Sequence, residues 1–242
     1  MFIRALRAEL IKGKHAPVWI AFIVLPLIPA CLGTFNYLGN LELLTSSWYS
    51  LWTQHTLFAA FFFLPALLAV YCAWEWRLEN TDHNFNSFLT APVPTVALYL
   101  AKLLPAVGVS VLTQLVVGLL FIASGFLAGI REPLPPQLLE WLGCGALGSI
   151  AICAVQLFLS LVIRSFAIPV AIGLLGGIAG LMATAQGWGL YFPYSLLAVG
   201  MRANNPNMTI DIGQLALATL IVTLVCAVLT VGMLAQRDVA AE

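Results

Sequence analysis

Apolar segments long enough to cross a membrane alternate with short polar segments along the chain. A helix needs about 20 apolar residues to cross a hydrocarbon core of roughly 30 Å. Six segments have that length, and runs such as 167–182 lack the alternating polarity of a membrane-spanning β-strand. The pattern predicts an all-α integral membrane protein with six transmembrane helices in a single domain, residues 1–242. The predicted spans are residues 17–37, 56–76, 98–128, 138–163, 166–186 and 212–235.

A further helix is predicted before the first span, over residues 2–14. At about 3.6 residues per turn, its apolar residues fall on one face and its basic residues fall elsewhere. Such an amphipathic helix lies along the membrane interface, with its bases near anionic headgroups. It would either only set the orientation of the chain or also border a partner subunit.

Basic residues are distributed unevenly between the two sides of this layout. One side holds eight of the ten, and the other side holds Arg131 and Arg202. Because Lys and Arg are retained on the cytoplasmic side, this asymmetry predicts cytoplasmic N- and C-termini and a cytoplasmic loop between the second and third spans. The eight residues are Arg4, Arg7, Lys12, Lys14, Arg77, Lys102, Arg164 and Arg237.

Composition agrees with a membrane protein and narrows the range of partners. The chain is 62% hydrophobic and 8% charged, with a mean hydropathy of +1.00, whereas soluble domains are about 25% charged. The formal net charge is zero, so nucleic acid is not expected as a partner. All seven tryptophans lie at or near a predicted span end, which favours the boundary between membrane and water for their indole rings.

Two outer segments and one glycine-rich span complete the layout. Residues 38–55 are expected to form an external loop with an interfacial amphipathic segment, and residues 187–211, the longest outer stretch, are the best candidate to meet a molecule outside. In the fifth span, pairs of glycines four residues apart predict close helix packing, either within one subunit or across a dimer. These glycines are Gly173, Gly176, Gly177 and Gly180.

Residues that would carry catalysis are missing from the predicted spans. His15, His55 and His83 all fall outside them, no H-E-x-x-H motif occurs, and the glycine-rich run lacks the Lys-Ser/Thr ending of a phosphate-binding loop. Lys102 is expected at the end of the third span, with its ammonium group extended to the interface. The sequence therefore predicts no catalytic residue, no metal site and no cofactor bound by this chain.

Polar residues are concentrated between the second and third spans. Glu75, Glu79 and Asp82 lie there with Arg77 and Lys102, in a chain that otherwise offers little polar sequence to an aqueous partner. We therefore expect a partner on that side of the membrane to contact this segment.

Three short stretches near these residues resemble the membrane subunits of type-2 ABC exporters, in particular the small permeases of lantibiotic-immunity and bacitracin-resistance transporters. Residues 7–14 (RAELIKGK) are similar to the basic E-L-x-K opening of that family. Residues 88–94 (FLTAPVP) are similar to its short L-x-x-P helix, and residues 99–102 (YLAK) match its Y-L-A-K motif.

The resemblance implies that residues 2–14 form a connecting helix and that residues 77–97 form a cytoplasmic coupling loop. A coupling helix at about 84–90 would fit a cleft in a separate ATPase subunit, which would bind ATP and Mg²⁺. The implied coupling residues are Glu75, Glu79, Asp82, Asn84, Phe85, Asn86, Phe88, Leu89 and Pro92, and those of the connecting helix are Arg4, Arg7, Glu9, Lys12 and Lys14.

The implied function is that of a permease subunit of an ATP-driven exporter in the bacterial cytoplasmic membrane. It would work with a second permease, identical or homologous, and would remove an antimicrobial peptide or another amphipathic compound from the membrane, for self-immunity or resistance. Membrane lipid is the remaining expected partner. A non-transporting membrane scaffold or sensor would have the same topology and is the alternative, while an intramembrane enzyme would need a reactive group of residues that the sequence does not show.

Overall fold

Helices form every regular element in the described part of the chain. The structure, a computed structural model, describes residues 1–14, 16, 18–45, 47–80 and 93–236. Six helical segments there are long and apolar enough to span a membrane, which confirms the predicted all-α class and the number of spans. They are Val18–Gly39, Ser47–Asn80, Thr95–Leu127, Leu138–Val162, Ala167–Ala185 and Ile212–Gln236.

The first two spans are interrupted helices. The first consists of α2 (Val18–Val24) and α3 (Leu27–Gly39), which are separated by a turn at Pro26, a residue without a backbone N–H to donate. The second consists of α4 (Ser47–Phe58), a π-helical segment (Ala59–Phe63) and α5 (Leu64–Asn80).

The remaining helices surround a central one. Their bounds are α1 Phe2–Lys14, α6 Thr95–Leu127, α7 Leu138–Val162, α8 Ala167–Ala185, α9 Leu196–Gly200 and α10 Ile212–Gln236. Helix α1 confirms the predicted N-terminal helix and packs against α6, while α7 lies at the centre and contacts α5, α6, α9 and α10. Helix α8 packs on α5, and a short 3₁₀ turn, Pro193–Ser195, leads into α9.

The second helical segment begins at residue 47 rather than 56, so the predicted bounds of the second span and of the external loop over residues 38–55 are wrong for residues 47–55. Trp48, Leu51, Trp52, His55 and Thr56 recur at helical spacing, and each is at most 1% exposed. This part of the helix faces protein instead of lipid. Its polar residues lower the mean hydropathy of the segment. Because they contact protein rather than lipid, they are compatible with a helix that spans the membrane.

Four tryptophans are packing residues rather than boundary anchors. Trp48, Trp52, Trp76 and Trp141 are each at most 1% exposed. The Trp52 and Trp141 rings stack with centroids 5.1 Å apart. The prediction that these indoles meet the boundary between membrane and water is wrong for these four.

Much of the segment 187–211 folds back against the bundle instead of extending outside it. Leu196 and Leu197 are fully buried, and a Cβ atom added at Gly148 of α7 would collide with the backbone of these residues. Trp188 and Tyr191 stay 69% and 86% exposed. Only part of this segment is thus a free surface.

The glycines of α8 contact other parts of the same chain. A Cβ added at Gly173 would collide with Ala69, and one at Gly177 would collide with the carbonyl oxygen of Phe61. Gly176 faces the Tyr194 ring, and Gly180 faces the backbone around the same residue. In this structure the small-residue spacing brings helices together within one subunit.

Candidate functional site

A group of buried charged side chains lies where α1, the end of α5 and the beginning of α6 meet. Lys102 Nζ lies 2.9 Å from Glu79 Oε1 and 3.1 Å from Glu9 Oε2. Lys12 Nζ lies 2.5 Å from Glu79 Oε1 and 2.8 Å from Glu9 Oε1. Each ammonium group therefore bridges the same two carboxylates, and we call these four side chains the ion cluster.

Local helical geometry positions each member of the ion cluster. Glu9 and Lys12 are three residues apart on α1, so they lie on the same face of that helix. Glu79 lies in the last turn of α5 and Lys102 near the start of α6. The Trp19 indole donates to the carbonyl oxygen of Gly13 at 2.5 Å, which helps to hold the end of α1 against the bundle.

Three of the four side chains of the ion cluster are shielded from solvent, whereas the Lys12 side chain is 34% exposed. Glu9, Glu79 and Lys102 are 7%, 4% and 1% exposed, and the Lys102 ammonium also lies 5.1 Å from the centroid of the Trp76 ring. Moving such charges out of water is costly, and they persist in a low-dielectric site only when they are paired. Removal of Lys102 would leave two buried carboxylates with a single, partly exposed ammonium group.

Lys102 is 1% exposed, so the prediction that its ammonium group extends into water is wrong. Its ammonium group is bound inside the bundle because Glu9 and Glu79 accept its hydrogen bonds there. A single lysine inside a predicted span, with acids at neighbouring span ends, was the signal for this pairing, since buried lysine and glutamate side chains are rare unless paired.

A third carboxyl group lies next to the ion cluster. Glu75, one helical turn before Glu79, is 2% exposed and lies beside the Tyr71 hydroxyl. Its Oε2 atom has no hydrogen-bond partner among the described residues. The resemblance implies that Glu75 and Glu79 contact an ATPase. The structure places both inside the bundle, so neither presents its carboxyl group to a partner subunit in this conformation.

Most of the remaining coupling residues implied by the resemblance fall outside the described residues. The helices define the ends of that segment, because α5 ends at Asn80 and α6 begins at Thr95. The predicted loop over 77–97 is therefore shorter, since residues 77–80 and 95–97 are helical. The residues outside the described part are Asp82, Asn84, Phe85, Asn86, Phe88, Leu89 and Pro92.

The residues implied for the connecting helix have different environments on α1. Arg4, Arg7 and Lys14 are exposed, whereas Glu9 points into the bundle. Apolar Ile3, Leu10 and Ile11 are 54–70% exposed. The outer surface of α1 thus combines apolar and basic side chains, as suits a helix at a membrane interface.

One buried histidine was missed by sequence reasoning. His55 lies within the second span at 1% exposure, and its Nε2 atom is 3.0 Å from the Thr34 hydroxyl oxygen. The expectation that no histidine lies within a span is therefore wrong. The helical spacing of the buried residues from Trp48 to Thr56 indicates that the span includes His55. The polar residues between them lower the hydropathy of this part and conceal that pattern.

The opposite end of the bundle carries one ion pair in the described part of the chain. Arg202 Nη2 lies 2.7 Å from Glu140 Oε1, and the two side chains are 10% and 43% exposed. The Arg202 Nε atom also donates to the carbonyl oxygen of Met208 at 2.8 Å. This pair fastens the folded part of 187–211 to the start of α7.

The ion cluster joins three helices, α1, α5 and α6. Among the described residues, no three His, Cys, Asp or Glu side chains are grouped so that they could hold a metal ion. The arrangement ties α1 to the end of α5 and to the beginning of α6.

Six apolar helical spans define a multi-pass membrane protein. A family model described as ABC-2 family transporter protein matches residues 5–180, which include the whole ion cluster, and the chain belongs to this family. Membrane domains of the family are transport subunits that lack an ATPase domain, and membership implies association with ABC ATPase subunits. Comparisons with curated proteins and with solved structures gave no match.

Proposed function

We propose that this chain is the permease subunit of an ATP-driven exporter in the bacterial cytoplasmic membrane. Two such subunits, identical or homologous, would flank a path, and separate ATPase subunits would bind ATP and Mg²⁺. The proposed cargo is an antimicrobial peptide or another amphipathic compound, removed from the membrane for self-immunity or resistance. This choice of cargo is supported by the resemblance of residues 7–14, 88–94 and 99–102 to the permeases of lantibiotic-immunity and bacitracin-resistance transporters.

The ion cluster is the observation that carries the proposal. The segment 81–94 leaves α5 directly after the turn that holds Glu79 and returns at the start of α6, which holds Lys102. Both side chains are bonded to α1. An ATPase that displaces this segment would therefore move three helices as one unit, and such rigid-body shifts can switch a membrane bundle between two packings.

The distribution of basic residues supports a cytoplasmic location for this end of the bundle. We call it the basic end, because α1, the end of α5, the beginning of α6 and the turn between α7 and α8 lie here. Arg131 and Arg202 lie at the other end, and the positive-inside rule places the end richer in bases in the cytoplasm. The basic residues of the described part at the basic end are Arg4, Arg7, Lys12, Lys14, Arg77, Lys102 and Arg164.

Replacement of Phe88 and Leu89 by Asp tests the proposal. Apolar anchors in a pocket carry much of the energy of an interface, so the F88D/L89D variant should lose co-purification of the ATPase. Leu134→Asp, which places one such charge in the connection between α6 and α7 at the opposite end, should retain it. ATPase binding equal to that of the unchanged chain in F88D/L89D would overturn the assignment of residues 84–90.

Cargo is tested in cells that produce the permease together with its ATPase. These cells should tolerate a several-fold higher concentration of a cationic amphipathic peptide than cells producing F88D/L89D. Equal sensitivity, with ATPase binding intact, would exclude that class of cargo and favour a non-transporting sensor.

A further inference from the structure

A pocket of about 300 Å³ lies at the basic end, on a different face of α5 from the ion cluster. The last turns of α5 form one wall, and the turn between α7 and α8 forms the other. Its polar lining consists of Arg77, Asn80, Ser160, Arg164 and Ser165.

Two arginines give this pocket a positive charge. No carboxylate lines it, and neither Arg77 nor Arg164 forms an ion pair with a carboxylate of the described residues. The guanidinium of Arg77 lies 5.8 Å from the centroid of the Phe166 ring, which places it over an apolar surface. Guanidinium groups bind phosphate oxygens through paired hydrogen bonds.

A buried hydroxyl group supplies a second, independent sign of a ligand. Ser160 is 2% exposed and lines the pocket, and its Oγ atom has no hydrogen-bond partner among the described residues. A buried polar atom without a partner is costly, and such atoms in proteins are usually satisfied. Helix α8 begins at Ala167 beside the pocket, and its first N–H groups also favour an anion there.

The rest of the lining is apolar. Ala73, Trp76, Ile163 and Phe166 complete the wall, so the pocket combines polar and apolar lining. We propose that it binds the phosphate group of an anionic phospholipid at the membrane boundary. A soluble phosphate has the same headgroup chemistry but would leave the apolar lining without a partner.

Thermal unfolding of the full chain in lipid nanodiscs tests this site. Phosphatidylglycerol titrated into phosphatidylcholine nanodiscs should raise the unfolding midpoint of the unchanged protein. Each arginine near an anionic surface contributes about fivefold in affinity, so Arg77→Gln/Arg164→Gln should require roughly 25-fold more phosphatidylglycerol for the same shift. Arg131→Gln, a matched change at the opposite end, should respond like the unchanged protein.

Ser160→Ala separates ligand binding from a purely structural role. It should reduce the phosphatidylglycerol shift and leave the midpoint in pure phosphatidylcholine unchanged, because it removes a hydroxyl that has no partner among the described residues of the protein. An equal loss of stability in both lipids would contradict a ligand at Ser160.

Inorganic phosphate added to the phosphatidylcholine sample distinguishes the two sources of the phosphate group. No shift is expected, and a shift equal to that from phosphatidylglycerol would assign the pocket to a soluble phosphate. A wild-type phosphatidylglycerol response in Arg77→Gln/Arg164→Gln would overturn the site. If that variant instead loses the ATPase while its lipid response is unchanged, the pocket serves a protein partner.

Discussion

The two ends of the bundle use the same chemistry in different surroundings. At the basic end, the Lys102 and Glu79 side chains are 1% and 5% exposed, whereas the Arg202 and Glu140 side chains at the opposite end are 10% and 43% exposed. A buried pair cannot lose one partner cheaply, while a pair open to water can. The basic end is therefore built so that its helices move together, and the opposite end does not depend on its ion pair.

Backbone contact holds the opposite end instead. Gly148 and Gly200 allow α7 and α9 to approach so closely that a Cβ atom at either would collide with the backbone of the other helix. The Trp52 indole also donates to the carbonyl oxygen of Met201 at 3.0 Å. Buried ion pairs thus hold the helices together at the basic end, whereas close packing of backbones holds them together at the opposite end.

Lys102→Met should have the largest effect. It leaves two buried carboxylates with only Lys12, so we expect a loss of about 3–5 kcal/mol in unfolding free energy, measured by denaturation in detergent. Lys14→Met, an exposed change on the same end, should stay within about 0.5 kcal/mol. The double variant Glu79→Gln/Lys102→Met should recover much of the lost stability, because Glu79→Gln removes the excess negative charge. If Lys102→Met were as stable as the unchanged chain, the basic end would not depend on its buried charges more than the opposite end does.

Gly148→Ala should come next. The added Cβ would meet the backbone of Leu196, which cannot rotate away, and overpacking of this kind costs about 1–3 kcal/mol. Gly143→Ala is the matched control on the same helix, because its Cβ would meet nothing within 4 Å. The thermal midpoint of Gly148→Ala should be lower than that of Gly143→Ala. Equal midpoints would show that close backbone packing does not stabilise this end.

Glu140→Gln should have the smallest effect. The carboxyl group is 43% exposed, and the Arg202 Nε atom keeps its bond to Met208, so less than about 1 kcal/mol should be lost. Chemical denaturation at low and at high salt measures it. A loss as large as that of Lys102→Met would mean that both ends depend on charge.

Hydropathy was sufficient to predict the number of spans, because lipid-facing helices must be apolar. It placed the start of the second span at residue 56 since Trp52 and His55 face protein, where the hydropathy of a helix is not constrained by lipid. The folding of Leu196 and Leu197 onto α7 depends on Gly148, a contact that no local pattern shows.

The candidate site could be predicted only in part. Helix α1 followed from its amphipathic pattern, and the resemblance drew attention to Glu79. A lysine inside a predicted span indicates that an acidic partner is needed, but the sequence does not identify the partners of Lys102, because Glu9 is 93 positions away and their meeting depends on how α1 packs against α6. The roles of residues 84–90 stay predictions.

Transmission of force through the ion cluster is tested most directly by a spin-label distance measurement in the assembled transporter. Labels at Ala8→Cys on α1 and Arg131→Cys at the opposite end, with the exposed Cys31 replaced by Ser, report movement of α1 when ATP and vanadate are added. The unchanged ion cluster should show an ATP-dependent shift of this distance, and Glu79→Gln/Lys102→Met should keep the ATPase bound but lose the shift. The same shift in that variant would contradict the account.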